Sequence, residues 1–197
     1  GVIMHKLVEA MRVKEGSVFD LTHHTFYERD FTFFIRLSKY LGRVVRCDKA
    51  RAEEIGLLSQ LIYLSSLLHV SITEETNDME QLRAEKQMPV LLGDLLYGRF
   101  ISELSETGNS SYLPIYLSYL KEFNANSIDS LEDRTEFDMK KAAFLLMVKT
   151  NEVFAMVMGH NPLDILMEGE LFFAEEWNVS KGEKVTNMAQ LEALFDR

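Results

Sequence analysis

The chain has 197 residues, of which 47% are hydrophobic and 26% charged, and its formal net charge at pH 7 is −10. This length and apolar content fit one domain with a sizeable core, so we expect residues 1–197 to form a single domain. The negative charge, with no Lys/Arg cluster that stands clear of acids, argues against nucleic acid and anionic membrane surfaces as partners.

Apolar residues recur near the helical period of 3.6 through most of the chain. Only 3 prolines and 10 glycines interrupt this pattern, which favours long helices over many short strands. In chain order, the predicted helices cover residues 1–13, 23–46, 49–72, 89–106, 111–123, 135–158, 162–177 and 188–196. The helix over 49–72 is apolar nearly all round, so we expect it at the centre. No strand alternation persists, and these seven or eight helices therefore predict one all-α bundle.

Capping residues mark several helix starts, because a side-chain oxygen there accepts hydrogen bonds from the free backbone N–H groups of the first turn. The predicted N-caps are Asp20 or Thr22 for the second helix, Asp48 for the third, Thr135 for the sixth and Asn187 for the last. Pro89 and Pro162 suit the first turns of their helices, and Gly108 and Gly159 suit helix ends. Three connecting segments are predicted: a polar loop over 73–87, a looser segment over 124–134 and a turn over 181–184.

The one cysteine, Cys47, permits no disulfide within the chain, which is typical of a protein of the reducing cytosol. No apolar run reaches about 18 residues, so no transmembrane segment is predicted. The N-terminus lacks the pattern of a signal peptide. These features predict a cytoplasmic protein.

Metal-binding motifs such as HExxH, CxxC and an EF-hand loop are absent from the sequence. The adjacent His23 and His24 would point about 100° apart on a helix, so we interpret them as surface or partly buried histidines rather than as ligands of one ion. One acidic cluster offers oxygen ligands for Mg²⁺, although such charge runs are usually solvated loop surface. Its members are Glu74, Glu75, Asp78 and Glu80.

Asp94 lies within an apolar helical segment that we expect to be mostly buried. A buried carboxylate must be paired or hydrogen-bonded, and Arg99, five residues on, is an imperfect partner on the same helix. An interhelical hydrogen bond or a cap is therefore favoured over a substrate or metal role. Gly93 and Gly98 in the same helix favour close helix–helix approach, since glycine otherwise weakens a helix interior by about 1 kcal/mol.

Two segments at a matching spacing resemble the trans-prenyltransferases, which condense an allylic diphosphate with isopentenyl diphosphate. Residues 61–69 (LIYLSSLLH) resemble the apolar helix that leads into the first aspartate-rich motif of that family, and residues 90–100 (VLLGDLLYGRF) resemble its later helix with an internal Gly-Asp. Lys149 and Thr150 are weakly similar to a Lys-Thr of the family. The family-motif residues in the first two segments are His69, Gly93, Asp94, Tyr97, Gly98 and Arg99.

The departures from this family fall on its metal ligands. In the family an Asp-Asp-x-x-Asp sequence follows the histidine, and its carboxylates hold the Mg²⁺ ions that bind the diphosphate. The matching positions here are Val70, Ser71 and Glu74, so two of the three carboxylates are missing. The second aspartate-rich motif is also missing, and Glu176 is the acid nearest to its place. The resemblance therefore predicts no catalytic residue and no metal ligand in this chain.

A chain that keeps the helices of the family but lacks both metal motifs resembles the small component of heterodimeric long-chain synthases. The nearest likeness is heptaprenyl diphosphate synthase component one. In bacteria these enzymes make hexaprenyl or heptaprenyl diphosphate for the menaquinone side chain. The resemblance, over residues 20–178, implies an isoprenoid-synthase-type bundle that is inactive alone. It also implies a catalytic large subunit that bears both aspartate-rich motifs and binds the Mg²⁺. This chain would be needed for the activity of that subunit and is a candidate for controlling the product length.

The resemblance also suggests where this chain meets its partner and its product. The helix with Gly93 and Gly98 and the aromatic helix from Tyr112 are the predicted interface with the large subunit. A growing isoprenoid chain is a further candidate contact, although bulky apolar residues on core faces are more often plain core. The tunnel candidates are Phe144, Met147 and Met156.

Two alternatives remain open from the sequence. Besides the small-subunit interpretation, the chain could be a self-sufficient helical homodimer that binds an apolar ligand without catalysis, and it could also be an active prenyltransferase or terpene cyclase. The second alternative would use the displaced acids Glu74, Glu75 and Asp78 to bind Mg²⁺.

Overall fold

Seven α-helices and no β-strand make up the described part of the chain, which in this computed structural model is residues 6, 7, 9, 26–73 and 87–195. The backbone alone is described for 71–73, 87–92 and 195. The helices are α1 (Glu28–Val44), α2 (Lys49–Thr73), α3 (Gln87–Glu106), α4 (Leu113–Asp133), α5 (Met139–Met158), α6 (Pro162–Glu176) and α7 (Met188–Phe195), with a 3₁₀ turn at Ser110–Tyr112. The predicted all-α class is confirmed.

Helix α2 is the central helix of the bundle, as its sequence predicts. It packs against α1, α3, α4 and α5, and every residue from 55 to 66 is buried. A helix surrounded on all sides needs apolar residues all round, which explains why α2 shows no amphipathic pattern. The residues of the family resemblance, at the C-terminal end of α2, are positioned by this central helix.

Aromatic side chains join α1 to α6 and to the segment after it. The Phe33 ring lies 5.1 Å from the ring of Trp177 and 5.6 Å from the rings of both Phe172 and Phe173, measured between centroids. Three of these four rings are buried, and Phe172 is partly buried. The pairs with Phe173 and Trp177 are edge-to-face, and such pairs add about 0.5–1.5 kcal/mol each beyond their buried area. The dense aromatics of α1 are therefore core residues.

The start of α1 differs from the prediction. Phe26 and Tyr27 are not helical, because the backbone around them pairs with the segment before α7: Val185 donates to the Phe26 carbonyl oxygen at 2.9 Å. The Tyr27 amide donates to the Asp30 carboxylate at 2.9 Å, so Asp30 caps the helix from its first turn. The predicted helix over 23–46 is therefore wrong at its start.

Two further boundaries were wrong, both around α4. The helix runs to Asp133 instead of ending at 123, because its second half has no glycine or proline although few of its residues are buried. Thr135 does not cap α5, since its amide donates to the Ser130 carbonyl oxygen at the end of α4. Asp138 is the cap, and its carboxylate accepts the Lys141 amide at 3.1 Å.

Several local predictions are confirmed. Gly159 ends α5 with a φ of 69°, Pro162 occupies the first turn of α6, and Asn187 caps α7 by accepting the Gln190 amide at 2.9 Å. No helix among the described residues is long and apolar enough to cross a lipid bilayer. The predictions that fall outside the described residues are most of helix 1–13, the caps Asp20 and Thr22, His23, His24 and nearly all of the loop 73–87.

Candidate functional site

The two segments of the family resemblance lie against each other, at the C-terminal end of α2 and the N-terminal half of α3. The Ser65 hydroxyl donates to the Gly93 carbonyl oxygen at 2.9 Å. One turn further along α2, His69 Nε2 lies 3.3 Å from Asp94 Oδ1. We call the four residues Ser65, His69, Gly93 and Asp94 the α2–α3 contact.

Gly93 permits this contact because a side chain there would collide with the histidine. A Cβ atom built on Gly93 would lie 2.8 Å from His69 Nε2. The predicted close helix approach is therefore present, but it lies within the chain. Gly98 is different: it is exposed, and a Cβ atom on it would have no neighbour within 4 Å among the described residues.

Asp94 is exposed, contrary to the prediction that it is buried. Its side chain is 68% exposed and that of His69 is 41% exposed. Among the described neighbours of Asp94 in α3, Leu96 is buried but Leu95 is exposed, so the apolar segment does not enclose the carboxylate. The favoured interhelical hydrogen bond is present, and it becomes an ion pair when His69 is protonated.

Val70 lies in the apolar core, with an exposed fraction of 4%. The sequence resemblance matches this position to the first aspartate of the family motif. The backbone of Ser71 continues α2, while Glu74, Glu75 and Asp78 lie outside the described residues. Within the described ranges, no group of three His, Cys, Asp or Glu side chains is arranged to hold a metal ion.

Tyr97 and Arg99 make contacts within α3. Arg99 Nη2 lies 3.0 Å from Oε1 of the buried Glu103, one turn on, and Lys6 Nζ lies 3.4 Å from the other carboxylate oxygen. The Tyr97 ring stacks on that of Phe100 with 6.1 Å between centroids. Arg99 therefore neutralises a buried acid that the sequence analysis missed, although the i,i+4 spacing of Arg99 and Glu103 could have indicated it.

Lys149 and Thr150 are not part of the α2–α3 contact. Thr150 is buried, and its hydroxyl lies 2.9 Å from that of Ser59, which in turn lies 2.9 Å from the Tyr116 hydroxyl. Ser59 is ten residues before His69 on α2, which is about 15 Å along the helix axis. Lys149 Nζ lies 3.7 Å from the Glu152 carboxylate. These contacts give Thr150 a structural role in the core.

The residues that the resemblance places nearest to a second aspartate-rich motif make structural contacts. Glu176 forms an ion pair of 2.6 Å with Arg36 of α1. The guanidinium of Arg29 lies 3.9 Å from the centroid of the buried Trp177 ring and donates to the Trp177 carbonyl oxygen. Both residues thus fix the end of α6 to α1.

The aromatic side chains of α4 and of the turn before it are turned inward. They are Tyr112, Tyr116, Tyr119 and Phe123, all buried within the chain. The prediction that these aromatics supply contact area to a partner is therefore wrong. The prediction of core faces for Phe144 and Met156 is also wrong, because both are exposed, whereas Met147 is buried against Gly169.

A buried carboxyl group, Asp30, was missed by the sequence analysis. It accepts the Tyr63 hydroxyl at 3.2 Å besides the Tyr27 amide, and the Gln60 side chain donates to its backbone carbonyl oxygen at 2.7 Å. Burial raises the pKa of Asp30 above its ordinary value of 3.8, although hydrogen bonds and Arg29 act in the opposite direction. Burial likewise raises the pKa of Tyr63, Tyr116 and Tyr119, so these phenols stay neutral.

The raised pKa of Asp30 predicts a pH dependence of stability. A carboxyl group with a higher pKa in the folded chain stabilises the fold fully below its unfolded pKa and loses that contribution as pH rises through the folded pKa. We therefore expect Asp30→Asn, which carries no charge at any pH, to gain stability relative to wild type between pH 4 and 7. Urea unfolding of both chains across this range measures the difference. A difference independent of pH would show that Asp30 titrates alike in both states.

The two glycines of α3 predict opposite effects of alanine. Gly98→Ala is expected to raise the free energy of unfolding by about 0.5–1 kcal/mol, because alanine favours a helix interior and meets no obstruction there. Gly93→Ala is expected to be at least about 1 kcal/mol less stable than Gly98→Ala, because its Cβ displaces the His69 ring. Urea unfolding measures both.

The matched control is His69→Ala, which removes the obstructing ring. In that background Gly93→Ala should stabilise the chain as much as Gly98→Ala does. Equal effects of the two glycine substitutions in the wild-type background would contradict the close approach of His69 to Gly93.

No protein-family model matches the chain, and no match is found among curated proteins. Among solved structures, the chain is similar to a decaprenyl diphosphate synthase from Rhodobacter capsulatus, with a TM-score of 0.58 and 16% sequence identity. The likeness covers 87% of this chain but 56% of that synthase, so the chain spans little more than half its length. It establishes the fold, an all-α bundle of the isoprenoid synthase type, which confirms the predicted fold class.

Proposed function

We propose that this chain is the non-catalytic small subunit of a two-component long-chain trans-prenyl diphosphate synthase. Its product would be hexaprenyl or heptaprenyl diphosphate for the menaquinone side chain. The chain is needed for the activity of a large subunit that carries both aspartate-rich motifs. The observation that supports this most is the buried Val70 directly after His69, in a fold similar to that of a prenyl diphosphate synthase.

The residues present at this position do not fit a magnesium site. Mg²⁺ prefers an octahedral set of oxygen ligands, commonly one or two carboxylates with water and substrate phosphates. Val70 offers no ligand, and the nearby carboxylate of Asp94 is engaged by His69. The departing diphosphate needs its charge neutralised. We therefore assign diphosphate binding and Mg²⁺ to the large subunit and no chemical step to this chain.

The outer face of α3 is the surface that we assign to the large subunit. Gly98, Ser102 and Ser105 are exposed at a spacing of four and three residues, which places them along one side of the helix. Exposed Leu95 and Ile101 border this line of small residues. Small residues let another helix approach closely, and the two aliphatic side chains supply apolar contact.

The deciding experiment is an assay with an allylic diphosphate, isopentenyl diphosphate and Mg²⁺. It compares this chain alone, the large subunit alone and their mixture. Activity in the mixture only supports the proposal, and equal activity of the large subunit alone rejects it. Turnover by this chain alone would instead support an active enzyme that uses Glu74, Glu75 and Asp78. A stable homodimer with bound lipid and no effect on any synthase would support the ligand-binding alternative.

Gly98→Arg is expected to lower the activity of the mixture at least about tenfold, because a bulky charged side chain prevents close packing on α3. The chain itself should fold normally, since Gly98 is exposed and no described atom lies within 4 Å of its Cβ position. Circular dichroism checks folding, and the mixed assay measures activity. Ala125→Arg, which places the same side chain on the exposed surface of α4, is the matched control. If both variants lose activity equally, the α3 interface is wrong.

A further inference from the structure

Helix α6 exposes a row of large apolar side chains. The exposed fractions are 74% for Leu163, 68% for Met167 and 48% for Leu171. Successive members are four residues apart, so each is turned by about 40° from the last and all three lie on one side of the helix. We call these three residues the α6 stripe.

Packing within the chain does not explain the α6 stripe. The inner side of α6 buries Ile165, Gly169 and Phe173 against α1 and α5. At 100° per residue, that inner side is centred roughly opposite the stripe. A surface helix normally has a polar outer face, whereas α6 is apolar on two opposite sides. Apolar side chains grouped in this way mark an interaction surface more often than singly scattered ones do.

Acidic side chains border the stripe on both flanks. Measured around the helix axis, Glu170 lies about 20° outside Leu163 on one flank. On the other flank, Asp164 and Glu175 lie about 20–40° outside Leu171. All three acids are exposed, and none has an ion pair among the described residues. Helix α6 contains no lysine or arginine. Its outer face is therefore an apolar row with one acidic side chain on one flank and two on the other.

We propose that the α6 stripe binds an amphipathic helix of another protein, one whose apolar side is bordered by lysine and arginine. Charge complementarity identifies this partner, because basic flanks would meet Glu170 on one side and Asp164 and Glu175 on the other. A second copy of this chain is disfavoured, since two such stripes would bring acid against acid in a chain of net charge −10. An anionic membrane surface is repelled for the same reason. The inference is independent of the proposed function and concerns a different face from that of α3.

The test uses the full chain and two synthetic helical peptides labelled with fluorescein. Both peptides have a leucine side, which lysines border in one peptide and glutamates in the other. Fluorescence anisotropy should show binding of the lysine peptide only, and binding should weaken at about 0.5 M salt because the flanking charges are screened. Met167→Glu should weaken binding at least about tenfold. Ile128→Glu, at an exposed apolar residue on α4, should leave it unchanged.

Charge reversal makes the test specific. The double variant Glu170→Lys with Glu175→Lys should no longer bind the lysine peptide and should bind the glutamate peptide instead. Retained preference for the lysine peptide in this variant would overturn the proposal, as would equal losses with Met167→Glu and Ile128→Glu. Sedimentation velocity tests for binding of a second copy of the chain, and co-sedimentation with anionic vesicles tests for binding to a membrane surface. Self-association or vesicle binding that Met167→Glu abolishes would also overturn it.

Discussion

Val70→Asp is expected to lower the free energy of unfolding by about 3 kcal/mol or more and to create no magnesium site. Val70 is 4% exposed and belongs to the apolar core, so an aspartate there is either an uncompensated charge or a neutral acid without adequate partners. The substitution introduces the first aspartate of the motif that the sequence resembles without introducing the chemistry of that motif. Urea unfolding measures the loss, with and without Mg²⁺.

The control for this prediction is Val179→Asp. Val179 follows α6 and is exposed, so the same substitution should change stability by no more than about 0.5 kcal/mol. A magnesium site at position 70 would reveal itself as recovery of stability in Mg²⁺. Such recovery in Val70→Asp, absent from Val179→Asp, would show that the position faces a site rather than the core, and the proposed division of labour would lose its main support.

Local signals in the sequence predicted most helices because each signal acts over one turn. Gly159 takes a left-handed conformation, Pro162 has no N–H to lose in a first turn, and Asn187 accepts a free amide. None of these effects depends on distant residues. The central position of α2 could also be predicted from the sequence, since a helix without a polar face must be enclosed by other helices.

The boundary of α1 failed because it depends on contacts between distant residues. Helix α1 begins at Glu28 because residues 183–185 pair with the backbone before it, and the sequence of α1 does not contain that information. The same holds for Asp30, whose partner Tyr63 is 33 residues away. Helix α4 extends past 123 for a different reason: the apolar period ends where burial ends, but nothing in the chain breaks the helix there.

The α2–α3 contact shows how far a motif resemblance reaches. It named His69 and the Gly93–Asp94 pair as motif residues but did not predict that they touch, which they do because Gly93 has no side chain to obstruct the imidazole ring. It did not predict that Asp94 is exposed or that Arg99 is engaged by Glu103. Spacing along a helix predicts which residues lie next to each other on it. Which side chains of α3 face the core depends instead on how the whole helix packs.

Gly42→Ala is expected to lower the free energy of unfolding by about 2 kcal/mol. Gly42 lies in the last turn of α1, and a Cβ atom there would lie 2.7 Å from the Cβ of Ala52 in the first turn of α2. Both atoms are fixed to helical backbone, so no side-chain rotation relieves the contact and the two helices must move apart. This loss outweighs the gain of about 1 kcal/mol that alanine brings to a helix interior. Urea unfolding followed by circular dichroism measures the change.

Ala52→Gly supplies the partner substitution, because it removes the methyl group that Gly42→Ala would strike. Alone it should lower stability by about 1 kcal/mol through helix propensity, but in the Gly42→Ala background it should raise stability. Gly98→Ala, with no described atom within 4 Å, is the control of opposite sign. Additive effects of the two substitutions at 42 and 52 would mean that α1 and α2 do not meet there. The coupling therefore tests whether α1 packs on the central helix as closely as the fold requires.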